Sequence, residues 1–248
     1  LTRQETDEDS SKQLEEVFQA AEKNYSLIKK GLWSINYSFD YSYFGDQRLD
    51  IDIVNGQPRN FDVVPSAQHT FTNSFSVDYG LLDNFTVSAR VPLVAKYDSQ
   101  EELSATGFGD ISFSARWQPF AYVPGKPSIS LFGSFKSKTG VSPYEIDVLR
   151  QISTGSGYYS FSGGGSYSKV LDPVVIFTSA SLTVGLNESG LNQVRGGDVL
   201  VGVEPANSYS LSGGFSYALS YDVSLSVSAQ IGYSDETTLL FRSGIQAT

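Results

Sequence analysis

Trp33-Ser34-Ile35-Asn36-Tyr37-Ser38-Phe39-Asp40-Tyr41-Ser42-Tyr43 sets an apolar or aromatic residue at every odd position and a polar one at every even position. Successive side chains of a β-strand leave opposite faces, so a period of two predicts a strand. The faces are extreme: one holds only Trp, Ile, Tyr and Phe, the other only Ser, Asn and Asp. The same pattern recurs downstream. Phe71, Phe75, Val77 and Tyr79 alternate with Thr72, Ser74, Ser76 and Asp78, and Phe85, Val87, Ala89 and Val91 with Thr86, Ser88 and Arg90. Ile111, Phe113, Ala115 and Trp117 oppose Ser112, Ser114 and Arg116, while Ile129, Leu131 and Phe135 oppose Ser130, Ser134 and Lys136. Further strands are predicted at 161–167, 176–184, 211–217, 223–233 and 239–247, which makes ten in view.

The connections alternate in length. Short ones fall at 80–84, 119–126, 171–173 and 219–222; long ones fall near 44–67, 95–109, 137–157 and 185–208 and carry acids such as Asp98, Glu145, Asp147, Glu188, Asp198 and Glu204. A soluble sandwich or up-and-down barrel accounts for alternating faces but not for short turns on one rim and long polar loops on the other. That combination, with antiparallel strands of about ten residues, is the pattern of an outer-membrane β-barrel. Aromatic residues near the strand ends (Tyr43, Tyr79, Trp117, Tyr167, Tyr217, Tyr233) fit interfacial girdles. Lipid tolerates no unpaired strand edge, and the 239–247 segment lacks a terminal aromatic, so either strands beyond those visible or a ten-strand barrel with a shortened final strand is expected.

Composition agrees. Charged residues make up 18%, below the roughly 25% of soluble domains, so much of the surface is covered without ion pairs. The absence of cysteine excludes disulfides, thiolate metal sites and a cysteine nucleophile, and a single histidine, His69, cannot build a histidine metal cluster. His69 has no serine or acid motif around it, so no catalytic residue is expected. Gly163-Gly164-Gly165 lies within a strand and lacks the helix that a phosphate loop requires. No metal and no cofactor is implied. A net charge of −10 without a basic stripe argues against nucleic acid.

Residues 1–31 differ from the rest. After an acidic start, Ser10 and Gln13 form a capping box, and Leu14, Val17, Phe18, Ala21, Tyr25 and Ile28 make one apolar stripe at helical spacing that should end near Gly31. The chain thus divides into an acidic segment with an amphipathic helix at 1–31 and a transmembrane barrel at 32–248. By strand parity, Asp40, Asp78, Arg90, Arg116, Lys136 and Arg242 point to the polar side, the lumen of such a barrel. Val175 and Phe177 interrupt the polar pattern of their strand on that side. The stripe of Leu14, Val17, Phe18, Ala21 and Ile28 is expected to plug the lumen, with Glu15 and Glu16 toward the basic side chains. Twelve strands about 4.8 Å apart and tilted about 40° leave a bore near 14 Å once side chains are counted. A helix is about 10–12 Å across and fits.

Several stretches resemble a known family: 9–31 running into Leu32-Trp33-Ser34-Ile35-Asn36-Tyr37, then Tyr79-Gly80-Leu81-Leu82-Asp83-Asn84-Phe85, Gly107-Phe108-Gly109-Asp110-Ile111, and Lys138-Thr139-Gly140-Val141-Ser142-Pro143-Tyr144. They are similar to the outer-membrane pore of the functional-amyloid secretion (Fap) system of pseudomonads. The resemblance implies a twelve-stranded, homotrimeric pore in the bacterial outer membrane, closed by an N-terminal helix, that exports unfolded amyloid subunits from the periplasm. A diffusion channel for small apolar or aromatic compounds is the alternative reading.

Overall fold

The structure is a computed structural model that describes residues 27–247 except 55–56, 100–101, 121–122, 124–125, 148–149, 172–173, 196 and 219–223; for 46–54, 57–66, 218 and 224 only the backbone is considered. The described residues are all-β and antiparallel, with no helix. The main sheet is built from β1 (Trp33–Val54), β2 (Gln57–Leu82), β3 (Phe85–Asp98), β4 (Ser104–Phe108), β5 (Ser112–Trp117), β6 (Ser128–Lys136), β7 (Ser160–Leu171), β8 (Val174–Gly185), β11 (Ser208–Ala218) and β12 (Ser224–Ser234). Its order is β1-β2-β3-β5-β6-β7-β8-β11-β12. β4 pairs with the distal half of β3 and β5 with its proximal half, so the two together occupy one place in the wall. A second sheet, ordered β14-β13-β10-β9, gathers β9 (Glu188–Arg195), β10 (Asp198–Glu204), β13 (Thr238–Phe241) and β14 (Gln246–Ala247).

Two expectations are corrected here. The segment 239–247 is not a wall strand: Thr238–Phe241 pairs with β10, which places Arg242 in the turn after β13 and away from the polar wall face. The long connections are also partly strand. β1 and β2 stay paired out to Val54 and Gln57, so the stretch read as a loop at 44–67 prolongs a hairpin, and β9 and β10 fold out of 185–208.

Burial in the wall is inverted relative to a protein core. On the serine face Ser74 is 2% exposed and Ser216 3%, whereas on the aromatic face Ile35 is 76%, Phe113 53% and Ile231 71% exposed. Apolar side chains cover the outside of the sheet because each strand puts every second residue there. The polar residues between them fall on the opposite face, where no buried side-chain donor or acceptor of the described residues lacks a partner. Eight antiparallel steps separate β1 from β12, so these edge strands run in the same direction and no β1–β12 pairing occurs among the described residues. Antiparallel closure therefore takes an odd number of further strands between them.

Candidate pore wall and rim

The serine face is a ladder of small hydroxyls. Ser162 and Thr183 share a hydrogen bond of 2.8 Å, Ser179 and Ser212 one of 2.7 Å, and Ser216 and Ser226 one of 2.6 Å. The sequence-predicted charges that lie in the wall fall on this face. Arg90 donates from Nη2 to Ser74 Oγ at 2.7 Å and stands 4.0 Å from Asp40. Asn36 Nδ2 donates to Asp78 at 2.8 Å. Lys136 lies 5.3 Å from the centre of the Tyr158 ring, and Arg116 sits in register with Thr86 and Phe132. Val175 is 1% exposed. Phe177 lies across the neighbouring strand: a Cβ on its register partner Gly214 would come 2.8 Å from the ring. Phe132, a residue that strand parity also puts on this face and that the sequence pattern alone does not single out, covers Gly164 in the same way, with the ring 2.6 Å from a Cβ built there. Glycine opposite each ring lets the aromatic lie flat on the wall.

Leu14, Glu15, Glu16, Val17, Phe18 and Ala21 lie outside the described residues. Ile28 is described, and the backbone at 27–29 is not helical, so Ile28 lies past any helix end. Residues 28–32 make a compact join to the sheet. Ile28 N donates to Thr86 Oγ1 at 3.1 Å, Lys30 N to Asp83 Oδ1 at 3.1 Å, Gly31 N to Gly80 O at 2.8 Å, and Gly80 N to Leu32 O at 3.1 Å. Gly31 supplies the left-handed turn, with φ of 79°, that brings the chain round into β1. Gly80 and buried Thr86 belong to the serine-face parity of β2 and β3. A Cβ on Gly80 would stand 2.5 Å from Ile28 O and closer still to Lys29 O. The lead-in to β1 therefore crosses the serine face at the short-turn rim.

The opposite rim is organised by the motifs at 107–111 and 138–144. Asp110 accepts from Gly140 N at 3.0 Å and from Ser156 N and Oγ at 2.7 and 2.6 Å, while Thr139 Oγ1 donates to Gly109 O at 2.9 Å. Lys138 Nζ bonds Glu188 at 2.6 Å, and that contact holds the ammonium above its ordinary range despite some desolvation. Gln193 Nε2 donates to the carbonyls of Pro143 and Ile146, and Arg195 packs over the Tyr144 ring at 5.8 Å. Burial raises the Tyr144 hydroxyl above its usual range, with Tyr158 adding to the effect. Leu191, Leu200 and Val203, backed by Tyr144, Leu239 and Phe241, form a small core under the second sheet. The sole histidine sits among rings near this rim: Tyr41 Oη lies 2.9 Å from His69 Nδ1, with Tyr43 and Tyr97 beside it, an aromatic setting and not that of a catalytic base. No group of three potential metal ligands occurs among the described residues.

No family model matches the chain. Among solved structures it is similar to the COG4313 outer membrane channel from Pseudomonas putida F1, with a TM-score of 0.58 and 14% identity over 87% of this chain and 77% of that one. Likeness at that identity concerns architecture alone. The chain thus has an all-β antiparallel fold similar to that of an outer-membrane channel.

Proposed function

We propose that the chain forms a gated pore in the bacterial outer membrane, with its aromatic face in lipid and its serine face around a water-filled lumen closed by further strands between β12 and β1. The observation that carries this reading is the inversion of burial: in water, a face bearing Ile35 at 76% and Ile231 at 71% exposure would be an aggregation surface, whereas hydrocarbon is its natural solvent. The N-terminal segment acts as the gate. Its lead-in is fastened to Thr86 and Gly80 on the serine face and to Asp83 in the adjoining turn, which supports a lumen position for the stripe of Leu14, Val17, Phe18 and Ala21 that precedes it in the sequence. Burying that stripe there recovers roughly 25 cal/mol per Å² of apolar area.

The cargo in this proposal is unfolded polypeptide. A lumen faced with serine and threonine offers hydrogen bonds without adhesive patches to a chain of varied sequence. The Fap resemblance adds amyloid subunits as that cargo and a homotrimer as the assembly. A diffusion channel for small aromatic compounds is favoured by Phe132, Phe177 and Val175 on the serine face. Against it, both rings lie over glycines instead of enclosing a pocket, and the apolar concavity of about 730 Å³ bordered by Trp33, Tyr79, Phe113 and Phe161 opens on the aromatic face.

Two measurements test the proposal. Deleting residues 1–31 should raise single-channel conductance of the folded barrel, and Gly80→Val, which displaces the lead-in without touching the helix, should raise it in the same direction. Unchanged conductance in both would leave the segment as a tether. Cells lacking the protein should lose extracellular amyloid while taking up small aromatics normally; the reverse pair of results would install the diffusion channel in its place.

A further inference from the structure

Among the described side chains, the charges of the serine face are segregated by strand. β1 and β2 contribute Asp40 and Asp78; β3, β5 and β6 contribute Arg90, Arg116 and Lys136, with Lys96 continuing the β3 series toward the long-loop rim and Asp98 ending it. On β7, β8, β11 and β12 the described residues of that face are uncharged, nearly all serine, threonine or glycine. The wall thus has an acidic sector, a basic sector and a broad hydroxyl sector.

Register gives the basic sector its dimensions. Arg90, Ser112 and Lys136 occupy one transverse row, so the two cations are two strands, about 10 Å, apart. Arg116 is four residues along β5 from Ser112, about 13 Å toward the short-turn rim. Between them stand the short side chains of Ser88, Ser114 and Ser134, which leave the long cationic arms room to reach inward. Arg90 marks the border with the acidic sector: it meets Asp40 at only 4.0 Å, with both side chains at least half exposed. Lys136, on the far side, contacts the Tyr158 ring face.

We propose that this strip is the anion-selecting wall of the lumen and takes carboxylates in succession, from small organic acids or from the acidic side chains of a passing polypeptide; the inference rests on the pore reading above. An anion beside Lys136 or Arg116 is nearer those cations than the acids on β1 and β2, and separations near the Debye length, about 8–10 Å at physiological to 0.1 M salt, weaken the more distant repulsion. Lumen charges tune selectivity in barrels of this class. The net charge of the chain is −10, so an anion preference would reflect local placement and not overall charge.

The test is the reversal potential of the full chain in planar bilayers under a KCl gradient. Wild type should favour chloride, Arg116→Gln and Lys136→Gln should each reduce that preference, and Arg116→Glu with Lys136→Glu should reverse the sign while the channel still conducts. A wild-type pore that is unselective or favours potassium, or a sign unmoved by the double reversal, overturns the proposal. Absence of any conductance both from folded wild type and from the folded barrel lacking residues 1–31 overturns the pore reading and the strip with it. Benzoate and an unfolded Glu-rich peptide, added separately, distinguish the source: block by either that is lost in the double reversal supports the strip and names its ligand, and block by neither removes it as a binding wall.

Discussion

The wall and the rim sheet of this chain obey opposite rules. In the wall most of the buried side chains are serines and threonines, with Val94 and Val175 beside them, and the exposed ones include Ile35, Phe113 and Ile231; in the rim sheet Leu200 and Val203 are fully buried, as in any water-soluble core. One chain therefore carries two burial codes, and the switch between them falls after β8, after β10 and after β12. Its physical reason in the proposed setting is the solvent. Strands surrounded by hydrocarbon need no apolar interior, while strands above the membrane must cover their apolar faces from water. The difference also explains how the two regions are held together. The wall relies on its ladder of backbone hydrogen bonds and on cross-strand pairs such as Trp33 with Tyr79, whose rings are 4.4 Å apart, and the rim relies on a core with side-chain ties such as Lys138 to Glu188.

The sharpest way to break this comparison is to empty the rim core. Leu200→Ala removes a fully buried side chain and should cost about 2–5 kcal/mol, felt in β9, β10 and β13 alone. Hydrogen exchange resolved by segment checks it: protection should fall across 188–204 and 238–241 while the wall strands keep theirs. Equal loss in both regions would mean that they form one cooperative unit.

The converse experiment addresses the wall. Phe113→Arg puts a cation on the aromatic face and should cost about 2–4 kcal/mol if that position lies near the bilayer midplane, whereas Ser114→Arg, on the other face of the same strand, should fold with little penalty. Urea titration of folding into lipid vesicles reads both. A reversed order would exchange the two faces and undo the membrane reading.

These contrasts also show what the sequence could and could not disclose. The wall was legible because polar residues, mostly serine, alternate with apolar and aromatic ones along most of each strand, and the strands around 161–167, 176–184 and 211–217 appear with only their ends extended. The rim sheet was not, because its strands are short and break the alternation. Val199-Leu200-Val201, bounded by Gly197 and Pro205, carries the apolar run of a small buried strand, but it lies within an acidic stretch of loop length. Thr238–Phe241 has apolar residues on both faces, which suits a strand covered on each side and not a lipid-facing one. The prolonged β1–β2 hairpin did leave a signal in Leu49, Ile51 and Ile53 alternating with Asp50 and Asp52 before Asn55-Gly56, the dipeptide most typical of a tight hairpin. For the candidate site, parity placed Asp40, Asp78, Arg90, Arg116 and Lys136 on the serine face. Arg242 was misplaced because parity was carried across residues that do not continue the wall. The Gly80 crossing was out of reach, since it depends on where the backbone at 28–29 passes.

The smallest effect concerns the tie between the start of β10 and the turn after β13. The Asp198 carboxylate accepts from the Ser243 hydroxyl and then from Val199 N, with Arg242 adding a weaker attraction, and these hold its carboxyl below the ordinary value of 3.8. A depressed pKa means that the folded form favours the charged carboxylate. The stabilisation it contributes is therefore complete above the unfolded value and is lost as the pH falls through the folded one. Between neutrality and pH 5 exchange protection at 241–247 should accordingly stay constant, apart from the intrinsic pH dependence of exchange, and it should weaken only in stronger acid. Asp198→Asn should lower protection in this segment slightly at neutral pH and remove the acid-dependent step. Because the group is solvent-accessible and its attraction to Arg242 is screened, added salt should narrow the difference between wild type and variant without abolishing it, as the hydroxyl contact persists. A wild-type transition near neutrality would assign the rim's acid sensitivity to another group and leave Asp198 as a simple hydrogen-bond acceptor.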